Sequence, residues 1–437
     1  MTIRSPSSAQ QNYWLTTVEV PKTDTKMPLP ETVDVAVIGA GFTGLSAART
    51  LAKHGAKVAV LEAETVGWGA SSRNGGMVLT GLKLGPTKLI SNYGRERARR
   101  MFAASLASID CVEQIVHDEN IECNFSRCGH LEVAYKQLHF RDYAHEAETI
   151  ARVFSHEVRI VPRNELHTEI GSVTYYGGMI DASSAGLNPA KYVAGLAWAA
   201  ARAGATVYAR ARVQYLRREP HDAASGWRVV TTRGSLWARE VFVGTSGYTG
   251  AATPALRRKI IPIGSFIIAT GVLPPALARE LSPHNRMIYD SKNFLYYFRL
   301  TPDNRMLFGG RAAFFPETEN TIRRSAEILR RGMLSVYPQL RDVKIEYVWG
   351  GTLDFAFDIM PHSGQIDGIH FALGYAGHGV AMATWLGQKT AELMAGESPD
   401  NPFTEISFPS APLGLYREKP WFLPLAGAYY KMLDWVR

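Results

Sequence analysis

Cysteine is scarce: Cys111, Cys123 and Cys128 are the only three in 437 residues. Three clustered thiols cannot build a disulfide framework and are expected to be free in a reducing compartment. Cys123 and Cys128 enclose four residues without a second pair, so no metal site is expected. Long apolar runs are missing too. Nothing approaches the ~20 residues of a spanning helix, and Met1-Thr2-Ile3-Arg4-Ser5-Pro6 lacks the apolar segment of a secretory signal. A cytoplasmic location is therefore expected. Repeats and long single-sign charge blocks are also lacking. The formal charge is +8, but the basic residues are scattered, densest from Arg95 to Arg100 and from Arg202 to Arg218. They read as solvated faces, and no nucleic-acid partner is expected.

What the sequence does have is ordinary core composition, 46% hydrophobic with 20% charged, on a chain long enough for two domains. Its organising stretch is Val33 to Gly44. Val33, Val35, Val37 and Ile38 favour a strand buried on both faces. Gly39, Gly41 and Gly44 follow on the G-x-G-x-x-G spacing: one for the tight turn, one for close approach of a pyrophosphate, one for packing of the next helix on the strand. A second apolar strand, Val58 to Leu61, ends at Glu62, about 20 residues past the glycines, where a carboxylate accepts ribose hydroxyls. Glu62 also disfavours a 2′-phosphate, hence NADP. An adenine dinucleotide accounts for part of the positive excess.

After Glu62 and Ala63 comes a loop from Thr65 to Met77, rich in Gly, Ser and Asn. It suits close passage past a polar planar ligand, and it also fits a plain surface loop. Helices are expected from Arg95 to about Asn120, Gln137 to Phe154, Ala190 to Ala203 and Thr321 to Tyr337. Short strands follow residue 205, the last ending in the small-residue turn Gly244 to Tyr248. Phe294 to Leu300 and Arg305 to Arg311 form a hairpin around Thr301-Pro302-Asp303-Asn304. Alternation places Tyr297 and Arg299 on one face of it, Tyr296 and Phe298 on the other. Near the end, Ile369 to Leu373 turns through Gly374 to Val380 into the helix Met382 to Ala395, a second strand–glycine–helix junction. Residues 1–32 read as an arm carrying Tyr13-Trp14-Leu15. Residues 33–85, 188–256 and 345–398 read as one discontinuous nucleotide-binding domain, 86–187 and 257–344 as a domain inserted into it, and 399–437 as a tail.

This ordered set of motifs resembles the D-amino-acid oxidase superfamily of FAD-dependent oxidoreductases, and Gly69-Ala70-Ser71-Ser72-Arg73-Asn74-Gly75-Gly76 is most similar to the gamma-glutamylputrescine oxidoreductase group. The resemblance, from about Val33 to Gly396, implies an α/β fold: a Rossmann-like FAD-binding domain with an inserted α+β substrate domain on a mainly antiparallel sheet. It implies that Gly39, Gly41, Phe42 and Thr43, with Gly44, hold the pyrophosphate, and Glu62 with Ala63 the ribose. The loop Gly69 to Gly76 would pass between pyrophosphate and isoalloxazine. Val213 would pair with adenine, and Thr245 and Gly247 would flank the adenosine half. Gly374, Gly377, His378, Gly379 and Val380 would meet the flavin pyrimidine edge. The implied reaction is oxidation of a C–N bond by hydride transfer to flavin, hydrolysis of the imine, and reoxidation by oxygen or another acceptor.

Some relatives attach FAD through a histidine in the loop after the second strand. Here Arg73 stands at that place, and no cysteine lies beyond Cys128, so the FAD is expected to be non-covalent. Arg311 is the candidate anchor for a substrate carboxylate. Tyr297 and Trp349 are candidate pocket walls, and His378 a candidate proton-handling group whose pKa the helix dipole would lower. The apolar tail around Trp421 to Tyr430 is too short to span a bilayer. Two readings of it stand: it packs on the body, or it rests on a membrane interface, where the enzyme would feed electrons to a quinone. A flavoprotein without a redox role is the remaining alternative.

Overall fold

The computed structural model describes residues 12–21, 23–221, 224–310 and 319–411, together with Tyr416, Phe422, Leu423, Gly427 and Met432. Two eight-stranded sheets organise it. In the first, the strand Thr32–Ile38 is central, with parallel neighbours Val58–Leu61 on one side (Val35 opposite Val58) and Gly234–Val243 on the other (Val37 opposite Phe242). Thr206–Tyr208 closes one edge; Ile369–Leu373 and then His362–Ile366 close the other. The hairpin Val213–His221 and Ala224–Thr231 hangs from Gly234–Val243. Val33, Val35, Ala36, Val37 and Ile38 are all buried, as a strand covered on both faces requires. The helix Phe42–Lys53 lies against it so closely that a Cβ on Gly44 would come within 1.9 Å of the Gly39 carbonyl oxygen. Strand order reverses beside Thr32–Ile38, so the crevice beyond its carboxyl end is the ligand end of the sheet.

The second sheet runs Ile345–Ala356, Ile260–Val272, Arg305–Gly310, Tyr296–Leu300, Met287–Asp290, His130–Val133, Gly177–Asp181, Arg159–Pro162. All its pairs are antiparallel except Met287–Asp290 with His130–Val133. On one face Phe298, Phe308, Leu329 and Met333 form a core under the helix Glu319–Val336. Tyr297 and Arg299 project to the other face, as the alternation predicts.

Two elements pack across the expected domain boundaries. Helix Arg95–Asp118 belongs with the nucleotide-binding layers: its Met101, Ala104 and Ile109 share a core with Leu45 and Leu386. The strand Ile345–Ala356 belongs with the second sheet, pairing with Ile260–Val272 from Ile260 opposite Ala356 to Thr270 opposite Ile345. Apolar periodicity marks a buried stripe without naming the surface that buries it.

Among the described residues no helix is long and apolar enough to cross a membrane. Of the tail, Leu423 packs with Ile261, Ile263, Phe355 and Ala376, and the Tyr416 hydroxyl donates to the Ile260 carbonyl at 2.9 Å.

Candidate active site

Three adjoining cavities share lining residues. The first, ≈ 530 Å³, opens at the carboxyl end of Thr32–Ile38. Gly39, Gly41, Phe42, Thr43, Glu62, Ala63, Gly69, Ala70, Ser71, Asn74, Val213, Thr245, Gly377, Gly379 and Val380 line it. The helix Phe42–Lys53 starts here without a side-chain cap, leaving amide groups and a positive dipole end for an anion. The Ser71 hydroxyl already accepts from Phe42 N–H at 2.9 Å, and a Cβ on Gly41 would sit 2.8 Å from that same oxygen. The Glu62 carboxylate accepts from the amides of Ala40 and Glu64, each at 2.8 Å. Burial raises its pKa against those hydrogen bonds.

The loop expected to flank a planar ligand is held from outside by side-chain donors to its carbonyls. Asn12 Nδ2 reaches Ser72 O at 2.6 Å, Trp349 Nε1 reaches Arg73 O at 3.1 Å, Trp14 Nε1 reaches Asn74 O at 2.9 Å, and Arg299 Nη1 reaches Gly76 O at 3.0 Å. Within the loop Asn74 closes the turn, its Nδ2 donating to Ala70 O and Ser71 O while its Oδ1 accepts from Gly76 N–H. With these carbonyls fixed outward, the peptide planes are set before any ligand arrives. Arg299 is 4% exposed, and burial lowers its pKa to about 10; it bonds backbone carbonyls at Gly76, Leu187 and Leu300.

The second cavity, ≈ 140 Å³, continues past Ala70, Asn74, Gly377 and Val380, which line both. Arg73, Gly75, His378 and Tyr297 line it, with Lys83, Ser265 and Tyr289. Tyr289 stands opposite Tyr297 on neighbouring antiparallel strands. The Tyr297 hydroxyl lies 3.2 Å from Ser265 Oγ, and burial pushes its pKa up to about 12. His378 immediately precedes the helix Gly379–Met394. Its pKa falls to about 3, chiefly through burial and then through the charges of Lys83 and His130. The neutral imidazole expected from the helix dipole thus has desolvation as its main cause.

Other expected site residues stand elsewhere. Gly44, Ser72, Gly76, Gly247 and Gly374 do not line the first two cavities. Trp349 is 2% exposed in a core with Tyr13 and Trp14, so it supports the loop from behind and is no wall of these cavities. Arg311 lies outside the described residues.

Several residues gave no signal in sequence. The Asp354 carboxylate accepts from Gly374 N–H at 2.7 Å, and its carbonyl from Ala376 N–H at 2.8 Å, shaping the second junction. Burial raises the Asp354 pKa to about 6. Tyr375 OH bonds Thr43 Oγ1 at 2.8 Å, joining two junctions 332 positions apart. Tyr289 and Lys83 were missed as well, since a single tyrosine or lysine carries no spacing signature.

The sequence matches the family described as "DAO: FAD dependent oxidoreductase" over residues 34–393. It is 33% identical over 414 residues to "Probable oxidoreductase OrdL" of Haemophilus influenzae, covering 93% of each chain. It is 31% identical over 406 residues to "Gamma-glutamylputrescine oxidoreductase" of Escherichia coli, covering 92% of this chain and 93% of that one. The fold superimposes on the crystal structure of glycine oxidase from Geobacillus kaustophilus with TM-score 0.72 and 20% identity, over 86% of this chain and 98% of that one.

Proposed function

The chain belongs to the DAO family of FAD-dependent oxidoreductases, and from that premise we propose that it oxidises the C–N bond of a small amine or amino acid, a gamma-glutamyl amine or an N-alkyl amino acid being the first classes to test. It is an FAD-dependent amine or amino-acid oxidoreductase. The observation that carries the finer reading is the continuity of the first two cavities. One is bounded by two strand–glycine–helix junctions, the other by tyrosines and a neutral imidazole.

The residues present fit FAD. The first cavity has a buried acceptor at Glu62, an uncapped helix start at Phe42, and no side chain at Gly41 to block a pyrophosphate. In this reading Gly39, Gly41, Phe42 and Thr43 hold the pyrophosphate, Glu62 the ribose, and Val213 the adenine edge. The loop Ala70 to Gly75 and the turn Gly377 to Val380 flank the isoalloxazine. Bound FAD supplies a hydride acceptor for the carbon that bears the amine. The chain's own part is to orient that carbon between Tyr297 and His378, to exclude water, and to accept the proton an ammonium must lose. Arg73 is engaged with the carbonyls of Trp68 and Gly350, in keeping with a non-covalent cofactor.

Anaerobic addition of amino acids, N-methyl amino acids, polyamines and gamma-glutamyl amines to the yellow protein tests the reading. One of these classes should bleach the flavin, and air should restore it with formation of peroxide. Bleaching that only a quinone reverses would assign the protein as a dehydrogenase. Stoichiometric FAD that no amine bleaches would leave a flavoprotein without this chemistry.

A further inference from the structure

Tyr289 has two faces. It lines the second cavity and also a third, ≈ 310 Å³, reached past Lys83 and His378. From its hydroxyl a hydrogen-bonded chain leads away from the flavin side. Tyr289 OH lies 3.3 Å from His130 Nε2, and His130 Nδ1 lies 2.8 Å from Ser184 Oγ. Ser184 Oγ donates to Thr80 Oγ1 at 3.3 Å, and Thr80 Oγ1 to Asp181 Oδ2 at 2.6 Å. Asp181 Oδ2 lies 2.8 Å from His156 Nε2, and His156 is only part-buried. His130, Thr80, Ser184 and Asp181 are all buried.

Counting protons fixes the direction of this chain. An ionised Asp181 only accepts, so Thr80 must spend its single hydroxyl proton there. Thr80 Oγ1 can then only accept from Ser184. The Ser184 oxygen also accepts the Thr80 amide N–H at 2.9 Å, and its remaining partner, His130, must donate from Nδ1. Burial keeps His130 neutral, its pKa lowered to about 4, so Nε2 bears no proton and is open to the Tyr289 hydroxyl, which also lies within donating distance of Glu132 Oε2 at 3.4 Å. From His130 onward every donor thus points toward Asp181, whose pKa is lowered in spite of its burial. A fully satisfied buried network of this kind holds its donors and acceptors in one arrangement.

Building on the amine-oxidation reading, we propose that Tyr289, His130, Ser184, Thr80, Asp181 and His156 form a proton exit that deprotonates the substrate ammonium before hydride transfer. The ammonium N–H bond breaks, and its electron pair stays on nitrogen. Tyr289 oxygen takes that proton as its own passes to His130 Nε2. The His130 Nδ1 proton passes to Ser184, that of Ser184 to Thr80, and that of Thr80 to Asp181; His156 Nε2, unprotonated in the Nδ1–H tautomer, takes it from Asp181 as His156 Nδ1 gives one proton to water. Each intermediate atom gives one proton and takes one, so no oxidant or reductant is needed. Glu132, with Glu146 and Lys83 near it, faces the Tyr289 end, and Arg286 and His156 face His130. Tyr289 is the group that touches substrate; the others act through it.

Stopped-flow flavin reduction under anaerobic conditions, with the amine that bleaches the wild type, tests the relay across pH and in mixtures of light and heavy water. Thr80→Val breaks the chain at its middle. It should slow reduction roughly tenfold or more while the substrate is protonated, and recover as pH passes the substrate's own pKa. Thr80→Ser should restore the wild-type profile. Ser184→Ala, at a second link, should behave as Thr80→Val does. The wild-type proton inventory should be curved, as for several protons in flight. A flat inventory, or Thr80→Val and Ser184→Ala reducing at wild-type rate throughout, overturns the relay alone. If no amine bleaches the wild type, the amine reading falls and the relay with it.

Discussion

The indole N–H of Trp14 donates to the carbonyl of Asn74, 60 positions away, at 2.9 Å. Asn12 does the same for Ser72 from two residues earlier. The start of the described chain is therefore part of the scaffold beneath the loop of the cofactor site. Trp14→Phe keeps the buried ring and removes the donor, so the loop carbonyl is left without its partner. FAD should bind roughly fivefold more weakly, about 1 kcal/mol, in titrations of apoprotein followed by flavin fluorescence. Unchanged affinity would mean that the loop holds its shape without the arm.

Gly41→Val should abolish FAD retention. A Cβ there already meets Ser71 Oγ at 2.8 Å, and the two methyls beyond it would occupy the approach of a pyrophosphate. The purified variant should be colourless with near-wild-type far-UV dichroism. A yellow variant with stoichiometric flavin would count against the site.

Asp354→Ala removes the acceptor of the Gly374 amide in a buried setting. The unpaired amide should cost about 1–3 kcal/mol, lowering the melting temperature and weakening FAD binding together. Asp354→Asn retains an acceptor oxygen and should recover most of both. If Ala and Asn behave alike in thermal melts, the hydrogen bond is not what shapes the junction.

Glu119 gathers Arg49, Lys53 and Arg202 at 2.7, 2.8 and 2.9 Å, tying together the helices Phe42–Lys53, Arg95–Asp118 and Pro189–Arg202. Burial alone would raise its pKa, but the hydrogen bonds of Lys53, Arg202 and Arg49 outweigh it and bring it to about 2. A carboxyl depressed in the folded state stabilises fully above its unfolded pKa, near 4.5, and loses that contribution as pH falls toward 2. Glu119→Gln should cost about 1–2 kcal/mol at neutral pH once solvent screening of the half-exposed Lys53 and Arg202 is allowed for, and the gap from wild type should close in acid melts. A gap that is constant from pH 7 to pH 3 would contradict the linkage.

The flavin should leave the protein on acid precipitation. Arg73 is engaged with the carbonyls of Trp68 and Gly350, and none of Cys111, Cys123 and Cys128 lines the three cavities. Yellow colour retained in the washed pellet would show a covalent link.

The fingerprint Gly39, Gly41, Gly44 and the acid at Glu62 were legible because each is a local demand: a turn, a close approach and a strand-end acceptor, at spacings that one strand–helix–strand unit imposes. The hairpin around Thr301 to Asn304 and the helix Gln137–Phe154 were legible for the same reason. What the linear pattern could not carry was the choice of partner. The helix Arg95–Asp118 and the strand Ile345–Ala356 read correctly as elements, yet each packs with the domain opposite to the one expected. Trp349 had the residue type of a pocket wall but faces the back of the loop. The proposed relay from Tyr289 to His156 draws on five separate stretches of chain. Composition and periodicity settled where strands and turns would form. Only the tertiary structure decided which polar groups are desolvated side by side, because that depends on contacts between residues with no fixed separation in sequence.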